Sequence, residues 1–533
     1  MCICQEYVKK MLRDHSLRAL LLAPLGVMAL TEILQAATPN LIYILTDDLG
    51  YGDISALNPD GKIQTPHVDR LVAEGMTFTD AHSSSSVCTP TRYNVLTGRY
   101  NWRTHLKSGV LDGYGKPLIA EDRLTWASML QAEGYQTAMI GKWHLGMELP
   151  IKETIAKEQK LAGGRTRTRN SYVVDWSQPI GRTPTSNGFD YFWGHGASLD
   201  FPPYVYIENN RYTSQSVSKK GAPHFGIKKG FRPGWIADDF DPRTTLDEFC
   251  VRSAEYIRKW DGKRPFALYV PLTSPHTPII PTKEWQGKSG VGDYGDFVMQ
   301  TDAVVGAILD AVDQRGIAEN TIIVFTADNG CSPAADIDAL ASQGHHVSHI
   351  YRGNKADIYE GGHRVPHIIR WPAKVQPSST TNRLTVLGDI VATMADIVGT
   401  QLPENAAEDS MSFYPVLLGK YTREKEHLAI INHSIGGAFA VRTKEWKLAF
   451  CPGSAGWSHP KDSEAKRKGS PDYQLYDMLN DPGETQNLYE QKPEVVERLI
   501  QLATDIVING RSTPGKSQAN DTANDWKQLH WIK

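Results

Sequence analysis

The 533-residue sequence has few cysteines and no excess of charge of either sign. Six cysteines are too sparse for the disulfide framework of a small secreted scaffold. The 57 Lys and Arg residues against 60 Asp and Glu give a formal net charge of −3. Nucleic-acid binders usually have a basic excess, so a nucleic-acid partner is disfavoured. Since 40% of the residues are hydrophobic, an intrinsically disordered chain is excluded.

Long hydrophobic runs are also missing. The apolar run from Ala19 to Leu30 is shorter than the ~20 residues that a transmembrane helix needs, so we expect no stable membrane anchor. Basic residues precede the run and the small residues Ala36 and Ala37 follow it, which is typical of a secretory signal peptide. We therefore interpret residues 1–37 as a signal peptide and expect an exported protein, periplasmic or secreted. Four cysteines would remain after its removal, enough for one or two disulfides at most: Cys88, Cys250, Cys331 and Cys451.

Short apolar runs alternate with helical patterns along most of the chain. Nearly continuous apolar runs are typical of parallel strands that are covered on both faces. They occur at Asn40–Thr46, Tyr135–Ile140, Phe266–Pro271 and Thr321–Ala327. Apolar residues at helical spacing predict helices over Thr244–Trp260, Phe297–Val312 and Leu384–Val398. The alternation predicts an α/β fold built on a parallel sheet.

Two parts of the chain depart from this alternation. Residues 151–240 have weak periodicity and are rich in Gly, Pro, Asn, Tyr, Arg and Lys, so we interpret them as long insertions that shape a substrate site. After about Gly419 the pattern predicts a hairpin of Ala438–Arg442 with Trp446–Phe450, and a helix near Pro493–Ile508. We therefore expect a main α/β domain over residues 38–419 and a smaller α+β domain over residues 420–533.

Acidic residues follow two of the predicted strands. Asp47 and Asp48 come directly after the first apolar run, and Asp328 and Asn329 come after Thr321–Ala327. Ligands of open α/β sheets bind outside the carboxyl ends of the strands, so these side chains are expected to converge. Each pair alone would be interpreted as an ordinary turn. Together, three carboxylates and one amide oxygen predict a site for a hard cation, Ca²⁺ or Mg²⁺.

The segment from Ser83 to Arg99 combines a cysteine with a predicted helix start. Thr89 can serve as the N-cap and Pro90 as the first helical residue, so the helix should begin just after Cys88. A helix N-terminus attracts anions, and Arg92 in the first turn can add a charge-assisted contact. We therefore expect an anionic oxyacid beside Cys88. The competing interpretation is that Cys88 is only a small buried hydrophobic residue.

The sequence Cys88-x-Pro90-x-Arg92 is followed by Leu96-Thr97-Gly98-Arg99. This pattern resembles the signature of the type I, formylglycine-dependent sulfatases. Other segments resemble the remaining motifs of that family in the same order, roughly from Pro39 to Leu488. They are Asp47-Asp48-x-Gly50-x-Gly52-Asp53, Gly141-Lys142-Trp143-His144, Pro275-His276-Thr277-Pro278, Asp328-Asn329-Gly330, Arg352-Gly353-Asn354-Lys355 and Leu475-Tyr476-Asp477. Asn354 and Ala356 depart from the family, in which small residues usually flank the lysine.

The resemblance implies an alkaline-phosphatase-like fold: a large mixed, mostly parallel sheet flanked by helices, with a smaller C-terminal α+β domain. It also implies that a dedicated maturation enzyme converts Cys88 to formylglycine (3-oxoalanine), whose hydrated aldehyde is the nucleophile. One hydroxyl of that geminal diol attacks sulfur, and the other later collapses to expel sulfate. The implied ligands of the divalent cation, Ca²⁺ more than Mg²⁺, are Asp47, Asp48, Asp328, Asn329 and residue 88 itself.

The resemblance assigns a role to each remaining polar residue of the motifs. Arg92 and Lys142 would stabilise the diolate form of residue 88, and His144 would be the base that triggers collapse of the hemiacetal. His276 and Lys355 would contact the sulfate and the leaving oxygen, with His276 as the general acid. The residues themselves favour a functional interpretation of both histidines, because each follows the carboxyl end of an apolar strand.

The insertions suggest the type of substrate. They contain aromatic side chains, which can stack on sugar rings, and basic side chains, which pair with sulfate or carboxylate groups. We therefore expect a sulfated carbohydrate substrate, together with activity on small aryl sulfates. The candidate substrate contacts are Trp193, His195, Arg165 and Arg167. For any single basic residue, a solvated surface position is the competing interpretation.

Two other functions remain open at this point. A phosphonate or phosphate ester hydrolase of the same superfamily would use the same Cys88 segment, although the set of Lys142, His144, His276 and Lys355 favours sulfate. A non-catalytic glycan-binding protein could keep the fold, but it would not need every reacting group.

Overall fold

The computed structural model describes residues 38–160, 166–220, 227, 230–420, 423 and 426–532. The predicted signal peptide, residues 1–37, lies outside the described residues. Asn40–Lys533 forms one compact unit. In the described part of the chain, no helix is long and apolar enough to cross a membrane.

The described residues contain twenty strands. In chain order they are β1 (Asn40–Asp47), β2 (Met76–Phe78), β3 (Ala81–His82), β4 (Gln136–Lys142), β5 (Ile151–Lys160), β6 (Thr166–Val174), β7 (Tyr191–His195), β8 (Ile207–Glu208), β9 (Arg211–Tyr212), β10 (Val217–Lys220), β11 (Gly234–Ala237), β12 (Phe266–Pro275), β13 (Thr321–Ala327), β14 (His367–Arg370), β15 (Ser379–Thr381), β16 (Thr385–Val386), β17 (Ile430–His433), β18 (Phe439–Arg442), β19 (Trp446–Ala449) and β20 (Gln474–Asp477).

Eleven α-helices accompany these strands in the described residues. They are α1 (Pro66–Glu74), α2 (Cys88–Thr97), α3 (Trp126–Ala132), α4 (Thr245–Lys259), α5 (Asp293–Gln314), α6 (Ile337–Ser342), α7 (Glu360–His363), α8 (Ile390–Val398), α9 (Tyr414–Leu417), α10 (Asp462–Arg467) and α11 (Pro493–Ile508).

Ten strands form one large sheet in the order β15-β2-β14-β13-β1-β12-β4-β7-β8-β9. The central strands β13, β1, β12, β4 and β7 are parallel, while β14, β8 and β9 pair antiparallel. Every residue of β1 is buried, as expected for a strand covered on both faces. Helices α1, α4 and α5 pack together on the sheet, and α2, α3 and α8 form a second group. The predicted mixed, mostly parallel sheet flanked by helices is confirmed.

A smaller antiparallel sheet lies in the C-terminal part of the chain, with the order β17-β18-β19-β20. Helix α11 packs on β18 and β19, and its buried residues Val496 and Leu499 share a core with Leu448 of β19. The predicted hairpin corresponds to β18 and β19, and the predicted terminal helix has the bounds of α11. The smaller C-terminal domain is thus present as a four-stranded sheet covered by a helix.

The structure corrects two predictions of secondary structure. Residues 151–240 are not only loops, because β7, β8 and β9 extend the main sheet and β5 with β6 forms a long hairpin. The predicted helix over Leu384–Val398 begins only at Ile390. Thr385 and Val386, near the predicted start of this helix, form β16 instead. Their parallel pairing with β3 overrides the local helical spacing of the apolar residues.

Candidate active site

Most predicted site residues lie just beyond the carboxyl ends of four neighbouring strands. β13 leads to Asp328 and Asn329, β1 to Asp47 and Asp48, β12 to His276, and β4 to Lys142 and His144. These strands are adjacent in the order β13-β1-β12-β4. The parallel sheet therefore brings together residues that are up to about 280 positions apart in the sequence.

The carboxylates form a compact and buried group. The atoms of Asp47, Cys88 and Asp328 that could bind a metal ion lie within 4.8 Å of one another. The same is true of Asp47, Asp48 and His276. The side-chain amide of Asn329 donates to Asp48 Oδ1 at 2.8 Å. Among the described residues, Asp47 Oδ1 and Asn329 Oδ1 are buried without a hydrogen-bond donor. Buried acceptors of this kind rarely stay unsatisfied, so this oxygen-rich group fits Ca²⁺ or Mg²⁺.

Three basic side chains balance the carboxylates. Arg92 donates to Asp328 Oδ2 from Nη2 at 2.8 Å and from Nε at 3.0 Å, and its Nη1 donates to the Lys142 carbonyl at 3.1 Å. Lys142 Nζ donates to Asp47 Oδ2. Lys355 Nζ donates to Asp48 Oδ2 at 2.8 Å. All three are buried, so each charge is held in place by its partner.

Burial and these cations act in opposite directions on the carboxyl groups. Burial alone would raise the pKa of Asp47, but Lys142, His276 and Arg92 hold that pKa well below its usual range. Burial and the negative charge of Asp47 raise the pKa of Asp328 to about 7, despite Arg92. Asp47 is therefore firmly ionised, whereas Asp328 needs further positive charge nearby to be fully ionised.

The two histidines present different nitrogens to the site. His144 Nε2 lies 2.8 Å from the Leu111 carbonyl, so it donates there and leaves Nδ1 as the acceptor, 3.4 Å from Ser198 Oγ. Burial, Lys142 and Arg92 hold the pKa of His144 well below its usual value, which keeps the ring neutral. His276 Nδ1 donates to the Thr277 carbonyl at 2.6 Å, and its Nε2 lies 3.7 Å from Asp48 Oδ2.

Cys88 is the first residue of α2, two positions before the predicted first helical residue, Pro90. Val87, with an extended backbone, is the N-cap instead of Thr89. The Thr89 hydroxyl donates to the His144 carbonyl at 3.0 Å, so tertiary contact replaces capping. Cys88 is buried, and burial raises the pKa of its thiol to about 11 even though Lys142 and Lys355 lower it. The thiol is therefore protonated and is not poised to act as a thiolate nucleophile.

The loop that carries Lys355 is attached on both sides. Ala356 N donates to the Ser86 carbonyl at 2.8 Å, just before Cys88. Asn354 N donates to Asp357 Oδ2 at 2.9 Å, and the Asn354 amide lies 3.4 Å from Ser458 Oγ. Ala356 has a φ of 79° in the left-handed region. The two departures from the family pattern are thus positions at which the loop contacts neighbouring segments.

The loop that contains Val347 passes close to the loop that follows Asp48. A Cβ on Gly50 would lie 2.1 Å from the Val347 carbonyl oxygen, so no larger residue fits there. Asp53 closes the turn by accepting from Gly50 N at 2.7 Å, and its other oxygen lies 2.9 Å from His345 Nε2. Asp48 itself has a φ of 63°. The strained backbone at Asp48 is therefore supported by its surroundings, as is usual at functional sites.

A cavity of about 380 Å³ opens onto this group of residues. Cys88, His276 and Lys355 line its wall, whereas Asp47, Asp48, Asp328, Arg92, Lys142 and His144 do not. The remaining lining residues include Asp200, Phe201, Arg232, Thr277, Ser332 and Trp457. Cys88, His276 and Lys355 therefore face a cavity whose volume is at the lower end of the ~300–1,000 Å³ range that is typical of ligand pockets.

The predicted substrate contacts lie elsewhere or are not described. Trp193 and His195 are buried in β7, where their rings stack on Tyr206 and Phe249. Neither residue lines the cavity. Arg165 and the side chain of Arg167 lie outside the described residues. The role predicted for these four residues stays a prediction, and the geometry of β7 does not support it for Trp193 and His195.

Sequence analysis did not identify three residues of the cavity wall. Asp200 and Arg232 belong to the aperiodic segment that we interpreted as insertions, and Trp457 belongs to the C-terminal part. None lies in a motif or in a periodic element. Only Arg232 shares a signal of composition, since basic residues are frequent in the insertions.

Residues 39–400 match the family model described as Sulfatase. The chain belongs to the sulfatase family. A second model, described as N-sulphoglucosamine sulphohydrolase, C-terminal, matches residues 351–507, which include the antiparallel sheet of this sulfatase. The predicted family is confirmed.

This sulfatase is similar to characterised relatives along most of its length. It is 32% identical over 502 residues to N-acetylgalactosamine-6-O-sulfatase of Bacteroides thetaiotaomicron, covering 87% of this chain and 92% of the relative. It is 30% identical over 506 residues to human arylsulfatase A, covering 91% and 90% of the two chains. A solved structure from work on glycosaminoglycan metabolism by B. thetaiotaomicron has a TM-score of 0.74 and 30% identity, covering 88% of this chain and 99% of that one.

Family and relatives together establish a sulfuric ester hydrolase. They do not favour the two other functions considered above, a phosphonate or phosphate ester hydrolase and a non-catalytic glycan-binding protein. The four cysteines in the described residues, Cys88 among them, are all unpaired thiols.

Proposed function

We propose that this sulfatase removes sulfate from a sulfated carbohydrate through a formylglycine at position 88 and a bound Ca²⁺. The observation that carries the proposal is the position of Cys88. It lies at the start of a helix, at the wall of the cavity, between buried cations and a group of carboxylates.

The chemistry of residue 88 supports conversion of the cysteine. A cysteine nucleophile acts as a thiolate, and catalytic sites lower the thiol pKa to produce one. Here burial raises the pKa of the Cys88 thiol. When present, formylglycine would supply a hydroxyl for attack on sulfur and a second hydroxyl whose collapse releases sulfate. A separate formylglycine-generating enzyme is therefore an expected partner.

Four residues would hold the cation: Asp47, Asp48, Asp328 and Asn329. Two of their buried oxygens lack hydrogen-bond donors among the described residues, and the raised pKa of Asp328 indicates a deficit of positive charge. The cation would supply positive charge next to the sulfate oxygens. Oxygen-only ligands and a group of several carboxylates favour Ca²⁺ over Mg²⁺, which keeps more of its water.

The chain's own cations and histidines divide the remaining work. Arg92 and Lys142 are buried behind Cys88 and stabilise negative charge at residue 88. Neutral His144 offers Nδ1 as a proton acceptor near the N-terminus of α2. Lys355 and His276 line the cavity, where both contact the sulfate and His276 gives a proton to the leaving oxygen.

The substrate class rests on the relatives and on the shape of the site. The similar bacterial enzyme is named for N-acetylgalactosamine 6-sulfate, and the human one for aryl sulfates. A cavity of about 380 Å³ is large enough for one sugar unit next to the sulfate. Export, to the periplasm or the medium, agrees with the signal-like residues 1–37.

The test compares sulfate and phosphate esters. The enzyme is produced together with a formylglycine-generating enzyme and assayed with 4-nitrophenyl sulfate and 4-nitrophenyl phosphate in the presence of Ca²⁺. We expect hydrolysis of the sulfate ester to dominate and to vanish in Cys88→Ala, with an unchanged melting temperature as the control for folding. Converted enzyme that releases phosphate faster than sulfate would contradict the proposal.

A further inference from the structure

Three cavity residues take no part in the sulfate chemistry described above. Asp200, Arg232 and Trp457 line the wall beside Cys88, His276 and Lys355. Asp200 and Arg232 come from the insertions and Trp457 comes from the C-terminal part of the chain. Their chemistry is that of a site for the part of the substrate that carries the sulfate.

Asp200 is a hydrogen-bond acceptor that is held in a fixed orientation. Arg232 Nη1 donates to Asp200 Oδ2 and, at 2.8 Å, to the Asp200 carbonyl. The guanidinium of Arg232 also lies over the Phe201 ring, 4.1 Å from its centre. Asp200 Oδ1 has no hydrogen-bond partner among the described residues, and only 13% of the side chain is accessible. A desolvated acceptor with one oxygen unsatisfied needs an external donor, such as a hydroxyl group.

Trp457 is an exposed aromatic side chain on a rigid backbone. Trp457 is 43% exposed, which is unusual for tryptophan. Its backbone N–H, however, donates to Asp357 Oδ1 at 2.7 Å, and Ser458 N donates to the same oxygen at 2.9 Å. Asp357 is itself buried, two positions after Lys355. The backbone of Trp457 is therefore fixed relative to the lysine that faces the sulfate, and the indole, with few rotatable bonds, provides a flat apolar surface at low entropic cost.

We propose that Asp200, Arg232 and Trp457 form the subsite for the sugar ring that bears the sulfate. The inference rests on the proposed function. Asp200 Oδ1 accepts a hydrogen bond from a ring hydroxyl, and Trp457 packs against the apolar C–H face of the ring. Arg232 is the positioning residue for the Asp200 carboxylate.

The charge of this wall selects the class of sugar. The carboxylate of Asp200 is compensated by Arg232, so the pair as a whole is neutral and offers an acceptor to hydroxyl groups. A sugar carboxylate next to Asp200 Oδ1 has no proton to donate to that oxygen, so it would leave the acceptor unsatisfied and place two negative oxygens in contact. The sulfated unit is therefore a neutral hydroxyl-bearing pyranose, not a uronic acid.

The variants are chosen to change one property each. In Asp200→Asn, the amide oxygen is expected to face Arg232, which places the amide N–H₂ where Oδ1 stood and turns an acceptor into a donor. Trp457→Ala removes the aromatic surface, while Trp457→Phe retains part of it. Asp175→Asn is the matched control, because Asp175 pairs with Lys152 outside the cavity.

The measurement is the ratio of kcat/KM on sulfated sugars to kcat/KM on 4-nitrophenyl sulfate. The sugars are the 6-sulfates of galactose, N-acetylgalactosamine and N-acetylglucosamine, with a sulfated uronic acid for comparison. We expect Asp200→Asn and Trp457→Ala to lower the ratio by about tenfold or more, because a site built for a hydroxyl loses its partner. Trp457→Phe should recover most of the ratio, and Asp175→Asn should not change it.

Each other outcome contradicts a different claim. An unchanged ratio in both variants, or a preference for the uronic acid, would overturn the subsite while the sulfatase mechanism stands. Hydrolysis of the aryl sulfate with no hydrolysis of any neutral sugar sulfate would do the same. Wild-type enzyme with converted residue 88 that hydrolyses neither kind of compound would overturn the proposed function.

Discussion

Lys355 and Asp48 form a buried ion pair at the inner end of the cavity, with Nζ 2.6 Å from Asp48 Oδ1 and 2.8 Å from Oδ2. Asp48 is one of the proposed cation ligands, and Lys355 also lines the cavity wall. One lysine therefore balances a ligand carboxylate and faces the position of the sulfate.

Replacing Lys355 by alanine should reduce catalysis strongly. A preorganised cation that stabilises charge in the transition state contributes about 10²–10³ in rate, so Lys355→Ala is expected to lower kcat on 4-nitrophenyl sulfate by that order. Lys355→Arg keeps the charge and should retain more activity. The melting temperature of both variants separates this loss from misfolding. Near-wild-type kcat in Lys355→Ala would contradict the assigned role.

Calcium should stabilise the folded enzyme. A cation that binds only the folded state adds about 2.7 kcal/mol at a hundredfold excess over its Kd. We expect the melting temperature to fall in EGTA and to rise again with Ca²⁺, more than with equal Mg²⁺. Asn329→Ala removes an oxygen ligand and should shift the Ca²⁺ titration to higher concentrations. Identical melting curves in EGTA and Ca²⁺ would argue against the site.

His367 should make stability depend on pH. Burial lowers the pKa of His367 to about 4, and among the described residues neither ring nitrogen has a hydrogen-bond partner. In the unfolded chain this group binds a proton near pH 6.5. Stability is therefore complete above pH 6.5 and is lost as the pH falls toward 4, by about 3 kcal/mol for this residue.

The variant His367→Phe tests this linkage. The ring already lies among Phe78 and Phe413, so a phenyl group fits the same surroundings. Melting temperatures of wild type and variant are compared at pH 7.5 and pH 4.5. The variant should lose less stability between the two values. An equal loss in both proteins would show that His367 does not titrate as described.

Lys447 of the C-terminal sheet should stabilise the contact of that sheet with helix α7, which contains Glu360. Lys447 lies in β19, 2.8 Å from Glu484 Oε1 and 3.2 Å from Glu360 Oε1, and all three side chains are buried. Burial raises the pKa of Glu484 to about 7 even with Lys447 present. Lys447→Met would leave the buried Glu484 carboxyl group without its cation, whereas Glu360 keeps Arg364 at 3.0 Å, so we expect a loss of about 3–5 kcal/mol in unfolding free energy.

A double variant and a surface variant complete that experiment. Lys447→Met combined with Glu484→Gln removes one stranded charge and should recover part of the stability. Lys259→Met breaks an exposed pair with Glu255 and should cost less than about 0.5 kcal/mol. If Lys447→Met were as mild as Lys259→Met, the buried network would not contribute as described.

The sheet and its site were largely predictable because the signals are local. β1 and β13 are continuous apolar runs, and the acidic pairs follow them directly, so strand polarity alone places Asp47 near Asp328. β7 was missed because its five residues, which include Gly194, are too few to show a period. Thr385 and Val386 were assigned to a helix because their pairing partner, β3, is remote in sequence.

The cavity wall was not predictable for a related reason. The reacting groups lie in motifs with fixed spacing, whereas Asp200 and Trp457 reach the cavity only through tertiary contacts. The position of Trp457 depends on Asp357, a hundred positions away. Conversely, Trp193 and His195, which we predicted as substrate contacts within the insertions, are buried and stack on Tyr206 and Phe249.

The most direct test is the mass of the peptide that contains Cys88, taken from active enzyme made in its native host. The account predicts that this peptide has the mass of formylglycine at position 88, and that the modified fraction rises in proportion to specific activity. Fully active enzyme with an unmodified cysteine at position 88 would contradict it.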